Sequence, residues 1–502
     1  MTARPPHPRR LLPVALCLAL AAASLAAPGI APRPARAHAP EAAPAPSSPP
    51  AAADEHPLDL LLRVYAPMCI PGDDLSFPMK VLAASESPSK FSTATRELFY
   101  RWAATACADW LADPGNYVQC HGDVHLGNTG SYVADVRSAR LALGLKDFDD
   151  TAFMPFQIDL LQALVSLRHI ALDRRVELAD PDVDALAADL LAHYRTTLAT
   201  GLSPSELFLG DPYVGALLKT PTVPVRQAVD AWTAAGRFKP AIVTRAGRLS
   251  NLFRPLLREH DPERGVTDKP ALAAALARAV AVSPSLQAVL AYSTAGEFEA
   301  AIDDAVHRIR SGSGGSQGLY KIVVLLRAGF KTLDGGTSDV LVYLKQQGDR
   351  SAAQRVGFIP PTDLPGGRRV AGGAAALTSP PLDAHGWCNL TLGGLERSFH
   401  VTLRNPWEDE PSENLNSLDR LLWAARYLGT LLGAAHRNAA ESPDAAGRLA
   451  DRVTSTLRRQ LIDRSAAFVA ENQRLYDQFM ADPRTDELRR RAQTALEAHT
   501  PR

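Results

Sequence analysis

The sequence is poor in several residue types and patterns that define specialised protein classes. Of 502 residues, 5 are cysteine and 6% are aromatic, and there is no Cys-x-x-Cys pair. This scarcity argues against a disulfide framework and against a cysteine-rich zinc module. Lysine and arginine number 54, the same as aspartate and glutamate, so the basic excess typical of nucleic-acid-binding proteins is also missing. We expect no nucleic-acid partner.

Acidic residues are absent from the first 37 positions. There, Arg9 and Arg10 precede the apolar run Leu11–Ala27, and a small-x-small site ends at Ala37. This pattern predicts an export signal peptide over 1–37, and an uncleaved membrane anchor is the alternative. Removing the segment takes away five of the 54 basic residues and leaves 49 against 54 acidic ones, so the rest of the chain carries a net charge of −5.

We therefore predict an exported protein, periplasmic or secreted, with no stable membrane span after signal cleavage. Residues 38–56 are rich in Ala, Pro and Ser and have too little apolar surface to fold, so a disordered linker is predicted there. In an oxidising compartment the remaining four cysteines allow three pairings, and the sequence does not choose among them. These cysteines are Cys69, Cys107, Cys120 and Cys388.

From Pro57 onward, hydrophobic periodicity alternates between helical and extended patterns, which predicts an α+β fold. Helices are predicted over 80–112, 156–172, 181–200 with Asp180 as N-cap, most of 223–310, 415–436, 445–480 and 486–498. Strands are predicted over 117–120, 130–136, 141–145, 319–326, 340–344 and 399–403. The glycine- and proline-rich stretch 360–381 is predicted to be a loop.

Two polar segments that follow predicted strands hold the densest chemistry of the chain. The motif H-G-D-V-H-L-G-N begins at His121, and K-D-F-D-D begins at Lys146. In phosphoryl transfer an aspartate accepts the proton of the attacking hydroxyl, an asparagine five positions later binds metal, and a further aspartate holds Mg²⁺. Asp123 and Asn128 have this spacing, and Asp147 is the natural second metal ligand.

These motifs resemble the catalytic loop and metal motif of aminoglycoside and choline phosphotransferases, in the protein-kinase-like superfamily. More closely, 117–168 is similar to the bacterial family called domain of unknown function 2252, in which G-D-x-H-x-x-N-x-G precedes N-D-F-D-E. The resemblance covers most of the chain between Phe77 and Tyr476. It includes further segments at 311–318, 340–347, 432–436 and 470–476.

The resemblance implies a two-lobed, protein-kinase-like fold with extensive added helices. In ordinary kinases the glycine-rich loop and the strand lysine precede the catalytic loop, whereas here 311–318 and Lys345 follow it by about two hundred residues. The fold would therefore be circularly permuted. The expected unit, 57–502, consists of a catalytic-loop part (57–310), a glycine-loop and lysine-strand part (311–410) and C-terminal helices (411–502).

The resemblance also implies Mg²⁺-dependent phosphotransfer from ATP to a hydroxyl acceptor that the sequence does not identify. Asp123 is the expected base, Asn128 and Asp147 are expected metal ligands, and Asp149 is an auxiliary ligand or orienting group. Lys345 is expected to clamp the phosphates. The backbone N–H groups expected to assist it belong to Gly312, Gly314, Gly315 and Gly318.

Most of the other singled-out residues keep two interpretations each. Arg404 is either a surface arginine or a phosphate contact. Asp159 is a helix cap or a brace for the catalytic loop, and His125 is a metal ligand or an orienting group. His121 is expected to brace the loop, and His436 is either a core histidine or a further orienting group.

Departures from the family pattern keep two other function classes open. The family's F-x-R-G-T appears as F-S-T-A-T from Phe91, its lysine-glutamate pair as Lys345-Gln346, and its tryptophan before Asp159 as Ile158. These changes, and the lack of an obvious ATP supply outside the cytoplasm, fit a non-catalytic pseudokinase-like binding protein. The histidine and aspartate cluster would also suit a metal-dependent hydrolase that activates water. Phosphotransfer from a nucleotide uses Asn128, the glycine-rich segment and Lys345, whereas a water-activating metal centre does not need them.

Overall fold

The computed structural model describes residues 55–70, 75–208, 210–218, 229–230, 232–234, 237–238, 252–262, 265–309, 318–404 and 415–498. The predicted signal peptide 1–37, most of the predicted linker 38–56 and the three glycines at 312, 314 and 315 lie outside the described residues. The described residues belong to one compact unit, Ala43–Arg502.

Helices and strands both occur, so the predicted α+β class is confirmed. The helices are α1 (Pro57–Tyr65), α2 (Ser76–Ala84), α3 (Pro88–Ala94), α4 (Arg96–Ala106), α5 (Ala108–Leu111), α6 (Gln157–Asp173), α7 (Asp180–Thr200), α8 (Pro204–Leu207), α9 (Pro212–Leu217), α10 (Lys269–Ala281), α11 (Pro284–Val289), α12 (Ala295–Ala301), α13 (Ala352–Arg355), α14 (Gly366–Leu377), α15 (Leu418–Ala439), α16 (Pro443–Asp451), α17 (Ser455–Ala481) and α18 (Pro483–Ala498). In the described part of the chain, none of the helices combines the length and apolar character needed to cross a bilayer.

The strands pair in antiparallel fashion throughout the described residues. They are β1 (Tyr117–Cys120), β2 (Thr129–Asp135), β3 (Arg140–Leu145), β4 (Ala152–Pro155), β5 (Thr233–Ala234), β6 (Arg237–Phe238), β7 (Leu252–Pro255), β8 (Ile302–Ile309), β9 (Lys321–Lys331), β10 (Thr337–Gln347), β11 (His385–Leu392) and β12 (Leu395–Leu403). Among the described strands, β7 to β12 form a six-stranded sheet in the order β11-β12-β10-β9-β8-β7, while β1 pairs with β4, β2 with β3, and β5 with β6.

Lys345 lies near the end of β10, at one end of the large sheet. Its register partners are Lys321, the first residue of β9, and His400 of β12. Strand β8 ends at Ile309, and His307 of that strand is opposite Ile322. The glycine-rich connection between β8 and β9 therefore starts and finishes at the end of the sheet that carries Lys345.

Two apolar cores hold these elements in place. One core lies between α10, α12 and one face of the large sheet, where Leu276 and Phe298 pack with Val324 and Val342. The larger core joins α4, α6, α7, α15 and α17. Helices α7 and α15 approach closely because α15 presents Gly429 and Gly433: a Cβ at these positions would lie 2.2 Å and 2.6 Å from carbonyl oxygens of α7.

The predicted strands 117–120, 130–136, 141–145, 319–326, 340–344 and 399–403 are confirmed as β1, β2, β3, β9, β10 and β12, several of them longer than predicted. The prediction of one helix over 80–112 is wrong, because the chain forms α2 to α5. Pro88 interrupts the pattern: it starts α3, with the Ser87 hydroxyl accepting a hydrogen bond from the N–H of Lys90 at 3.2 Å.

Three further predictions are corrected. Ile302–Ile309, inside the segment predicted to be mostly helical, is strand β8, which pairs with β7 and β9 and packs Ala305 and Val306 into different apolar clusters. Asp180 is the first residue of α7 rather than its N-cap, and Asp182 accepts a hydrogen bond from the cap N–H of Ala179 at 2.9 Å. The predicted loop 360–381 contains helix α14, in which Gly366 and Gly367 lie against neighbouring backbone.

Candidate active site

Asp159 binds the backbone of the loop that follows β1. It is fully buried on α6 and accepts hydrogen bonds from the N–H groups of His121 at 2.7 Å and Gly122 at 3.0 Å. His436 Nε2 lies 3.1 Å from the same carboxylate, and His436 Nδ1 lies 2.8 Å from the Tyr194 hydroxyl. Burial alone would raise the pKa of Asp159, but the hydrogen bond and charge of His436 lower it. The carboxylate therefore remains ionised and fixes the loop backbone.

Asp123 and Asn128 lie together at the front of this loop. The Asn128 amide nitrogen donates to the Asp123 carbonyl at 2.9 Å and to its carboxylate Oδ2 at 3.2 Å. The guanidinium of Arg96, the first residue of α4, contacts the other carboxylate oxygen, Oδ1. His125 Nε2 lies 3.8 Å from Oδ2, and burial lowers the pKa of His125 to about 4, so its ring is neutral near pH 7. Both hydrogen bonds between Asn128 and Asp123 are donated by the Asn128 amide nitrogen.

The loop is joined directly to the second polar motif. His121 Nε2 lies 2.7 Å from the carbonyl oxygen of Lys146, and the Lys146 N–H donates to the Asn128 carbonyl at 2.8 Å. The next residue, Asp147, has φ 58° and ψ 67°, a left-handed conformation that non-glycine residues adopt infrequently. Such a conformation is often retained at functional sites because the surrounding contacts impose it.

Lys345 connects the sheet to this second motif. Its ammonium group contacts Asp147 Oδ1 and lies 2.6 Å from Asp149 Oδ2, and its side chain is 15% exposed whereas that of Asp147 is 45% exposed. Burial, together with the charge of Asp147, raises the pKa of Asp149 to about 6. Burial would also raise the pKa of Asp147, but the charge of Lys345 lowers it. Lys345 thus stabilises a carboxylate pair that would otherwise repel.

Two buried arginines at the cleft have donors without a partner in the described residues. The Nε groups of Arg96 and Arg369 are buried and make no hydrogen bond. An unpaired buried donor typically costs about 1–3 kcal/mol. The carboxylates of Asp147 and Asp149 and the amide oxygen of Asn128 are the hard oxygen ligands that Mg²⁺ prefers.

In the described residues, the group of three His, Cys, Asp or Glu side chains that has metal-ligand spacing lies behind the loop, apart from Asp147 and Asp149. One ligand atom each from Cys120, Asp159 and His436 falls within 4.8 Å of the others, and all three residues are buried. Asp159 and His436 already bond each other there. The four described cysteines are all free thiols, and burial raises the pKa of Cys107 and Cys388 to about 12.

The structure does not bring every expected residue to the cleft. Arg404 donates its N–H to Leu341 and places its guanidinium 4.9 Å from the centre of the Trp232 ring. Leu341 precedes Lys345 by four residues, a separation of roughly 13 Å along a strand. Gly318 is described and has φ 80°, and its carbonyl accepts from the Ile70 N–H at 3.0 Å.

Sequence reasoning missed several residues that hold the site. Gln162 accepts a hydrogen bond from the Val124 N–H at 3.0 Å and donates to the Gly122 carbonyl at 3.0 Å. Its spacing of three from Asp159 on a helix places both on one face, a signal that would have found it. Arg96 and Arg369 carry no comparable local signal, because only tertiary contacts bring them to the loop.

The chain belongs to a bacterial family whose chemistry its description leaves open. The model of the family described as uncharacterized protein conserved in bacteria (DUF2252) matches residues 73–482, which include the whole candidate site. No curated protein and no solved structure matches the chain.

Proposed function

We propose that this protein is a Mg²⁺-dependent phosphotransferase that moves a phosphoryl group from a nucleotide such as ATP to a hydroxyl acceptor. The observation that carries the proposal is the contact of Lys345 with Asp147, two residues that lie 198 positions apart in the sequence. The contact lies at the end of the large sheet where the glycine-rich connection joins β8 to β9. A glycine-rich connection, a strand lysine and an aspartate motif are the phosphate-binding and metal-binding parts of protein kinases.

The order of the sheet strands supports a permuted kinase-like fold. The glycine-rich segment joins β8 to β9, and the lysine follows on β10, as it does on the third strand of kinases. The catalytic-loop motif precedes these strands in the chain instead of following them. Under this proposal, the two halves of the site come from chain segments whose order is exchanged relative to ordinary kinases.

Each residue of the cleft has a role that follows from its contacts. Asp123 would accept the proton of the acceptor hydroxyl, with its carboxylate oriented by Arg96 and Asn128. Lys345 would hold the donor phosphates by its charge. Asn128, Asp147 and Asp149 would hold Mg²⁺, which neutralises phosphate charge when bound.

The alternatives explain fewer contacts. Both ring nitrogens of His121 face backbone groups, Lys146 O and the Asp123 N–H, so this histidine has no free nitrogen for a hydrolytic metal. The family's F-x-R-G-T contains an arginine that F-S-T-A-T lacks, and Arg96, the next residue of the chain, contacts the expected base in its place. A pseudokinase would not need that contact.

Calorimetric titration of the purified protein with ATP tests the proposal, with and without Mg²⁺. We expect Mg²⁺-dependent binding that Asp147→Asn removes and Asp334→Asn, in the β9–β10 turn at the opposite end of the strands, does not. No binding at millimolar ATP, or equal binding by Asp147→Asn, would contradict it. Binding without turnover in an ATP hydrolysis assay would favour the pseudokinase, and ester hydrolysis without nucleotide would favour the hydrolase.

The proposal includes export to the periplasm or the medium, which rests on the sequence of residues 1–37. Fractionation of cells that express the whole chain tests it. We expect the protein outside the cytoplasm with His38 at its N-terminus. A cytoplasmic protein that retains Met1–Ala37 would contradict it.

A further inference from the structure

Helix α14 packs closely against both halves of the candidate site. A Cβ on Gly366 would lie 2.3 Å from the carbonyl oxygen of Gly348, which directly follows β10. A Cβ on Gly373 would lie 2.3 Å from Thr151 Cγ2, at the end of the aspartate motif. Gly367 makes a similar approach, 2.3 Å, to the Phe399 carbonyl of β12. A larger residue at Gly366 or Gly367 would have to displace backbone, and one at Gly373 would have to displace the Thr151 side chain.

Arg369 completes this connection with hydrogen bonds. Its side chain is buried, with NH1 donating to the carbonyl oxygens of Asp149 at 2.7 Å and Thr151 at 3.0 Å. NH2 donates to the carbonyl oxygen of Gly348 at 3.1 Å. One planar guanidinium thus ties the backbone of the aspartate motif to the backbone that follows the lysine strand. Burial of a charged guanidinium costs desolvation free energy, so stability alone does not account for the position of Arg369.

We infer that Arg369 is the positioning residue that keeps Lys345 in register with Asp147 and Asp149, in the place of the lysine-glutamate pair that kinases use. The inference rests on the proposed function for its catalytic meaning. Gln346, the next residue of β10, faces the other side of the strand, where its Oε1 accepts a hydrogen bond from the Tyr320 N–H at 3.1 Å. Burial lowers the pKa of Arg369 to about 10, which leaves it charged at neutral pH.

The chain offers matched pairs of variants. Arg369→Met removes the three hydrogen bonds, and Arg368→Met is its control, since Arg368 is exposed and its guanidinium lies 6.0 Å from the Trp387 ring. Gly373→Ala pushes against Thr151 without removing the guanidinium, and Gly372→Ala is its control, since a Cβ there would meet nothing within 4 Å. Arg369→Lys keeps the charge but loses the fork that reaches both segments.

The first readout is the coupling between Lys345 and Asp149, measured by a double-mutant cycle in urea unfolding with Lys345→Met and Asp149→Asn. We expect the coupling, expressed as a ratio of unfolding constants, to fall at least threefold in the Arg369→Met and Gly373→Ala backgrounds. The two control backgrounds should leave it unchanged, and Arg369→Lys should restore part of it. A folded Arg369→Met protein with wild-type coupling would overturn the inference.

The second readout is the ratio of ATP affinities with and without Mg²⁺. Arg369→Met should reduce this ratio at least tenfold, whereas a merely structural role would lower the melting temperature and leave the ratio unchanged. An unchanged ratio in folded Arg369→Met would overturn the inference. If the wild type binds no nucleotide, the proposed function fails while the unfolding cycle still decides the role of Arg369. Should Arg369→Met not fold, the Gly373→Ala and Gly372→Ala pair decides both readouts.

Discussion

Replacing Lys345 should change metal binding and nucleotide binding in opposite directions. The Lys345 ammonium lies 2.6 Å from Asp149 and also contacts Asp147. A divalent cation bound by these carboxylates would sit within roughly 5 Å of the ammonium group. The repulsion between charges of +2 and +1 at that distance is about 7 kcal/mol at an effective dielectric constant of 20, and about 2 kcal/mol in bulk water.

The lower value applies more closely, because the Asp147 side chain is 45% exposed and the lysine can move aside. About 2 kcal/mol corresponds to roughly a thirtyfold change in affinity. We therefore expect Lys345→Met to bind Mn²⁺ at least tenfold more tightly than the wild type when no nucleotide is present. Under the proposed function the donor phosphates would lose their cationic contact, so the same variant should bind ATP more weakly.

Calorimetric titration with Mn²⁺ measures the first effect, and titration with ATP at saturating Mg²⁺ measures the second. Lys331→Met is the matched control, since Lys331 lies at the opposite end of β9 and donates to the Gln287 carbonyl at 2.8 Å. It should alter neither affinity. If Lys345→Met binds Mn²⁺ no more tightly than the wild type, Lys345 does not compete with metal for these carboxylates, and the reasoning fails.

Three further predictions concern stability, each measured by urea unfolding. Burial lowers the pKa of His169 to about 4, so between pH 6.5 and 4 the unfolded chain binds a proton at this residue and the native chain does not. The free energy of unfolding therefore decreases as the pH falls. Between pH 7 and 5, His169→Gln should lose about 2 kcal/mol less of that free energy than the wild type. A loss equal to that of the wild type would contradict this. Asp159→Asn should lower the free energy of unfolding by about 3–5 kcal/mol, because it breaks the buried pair with His436. Asp184→Asn, which breaks a surface pair with Arg458, should lower it by less than about 1 kcal/mol. Glu97→Gln should lower the free energy of unfolding by about 3–5 kcal/mol, because it leaves the buried Arg355 without its main partner. Adding Arg355→Met should recover part of that loss. No recovery would show that the two residues are not coupled.

Local chemistry explains why much of the fold was predictable. Strand β1 and the hairpin of β2 and β3 have apolar residues bounded by turn residues, and the structure places them within one residue of the prediction. The spacing of Asp123 and Asn128 also has local meaning, since the amide of one bonds the carboxylate of the other within a single turn of chain. Such features depend on neighbours in sequence, so the sequence reveals them.

Helix α14 shows where local reasoning fails. Gly366, Gly367 and Gly373 weaken a helix by their intrinsic propensity, and the stretch was therefore predicted to be a loop. In the folded chain Gly366 and Gly367 let the helix touch two separate backbones and Gly373 leaves room for the Thr151 side chain, and that packing outweighs the propensity. A segment whose glycines serve distant contacts cannot be distinguished from a loop by its own composition.

The sequence by itself determined the α+β class, the membership of its family and the chemical types at the candidate site, because periodicity and motif spacing are written along the chain. Only the tertiary structure decided which distant residues meet. It brought Lys345 to Asp147, aligned Arg96 with Asp123, and left Arg404 about four residues along the sheet from Lys345. The physical reason is that burial and backbone packing select these partners, and neither leaves a periodic mark in the sequence.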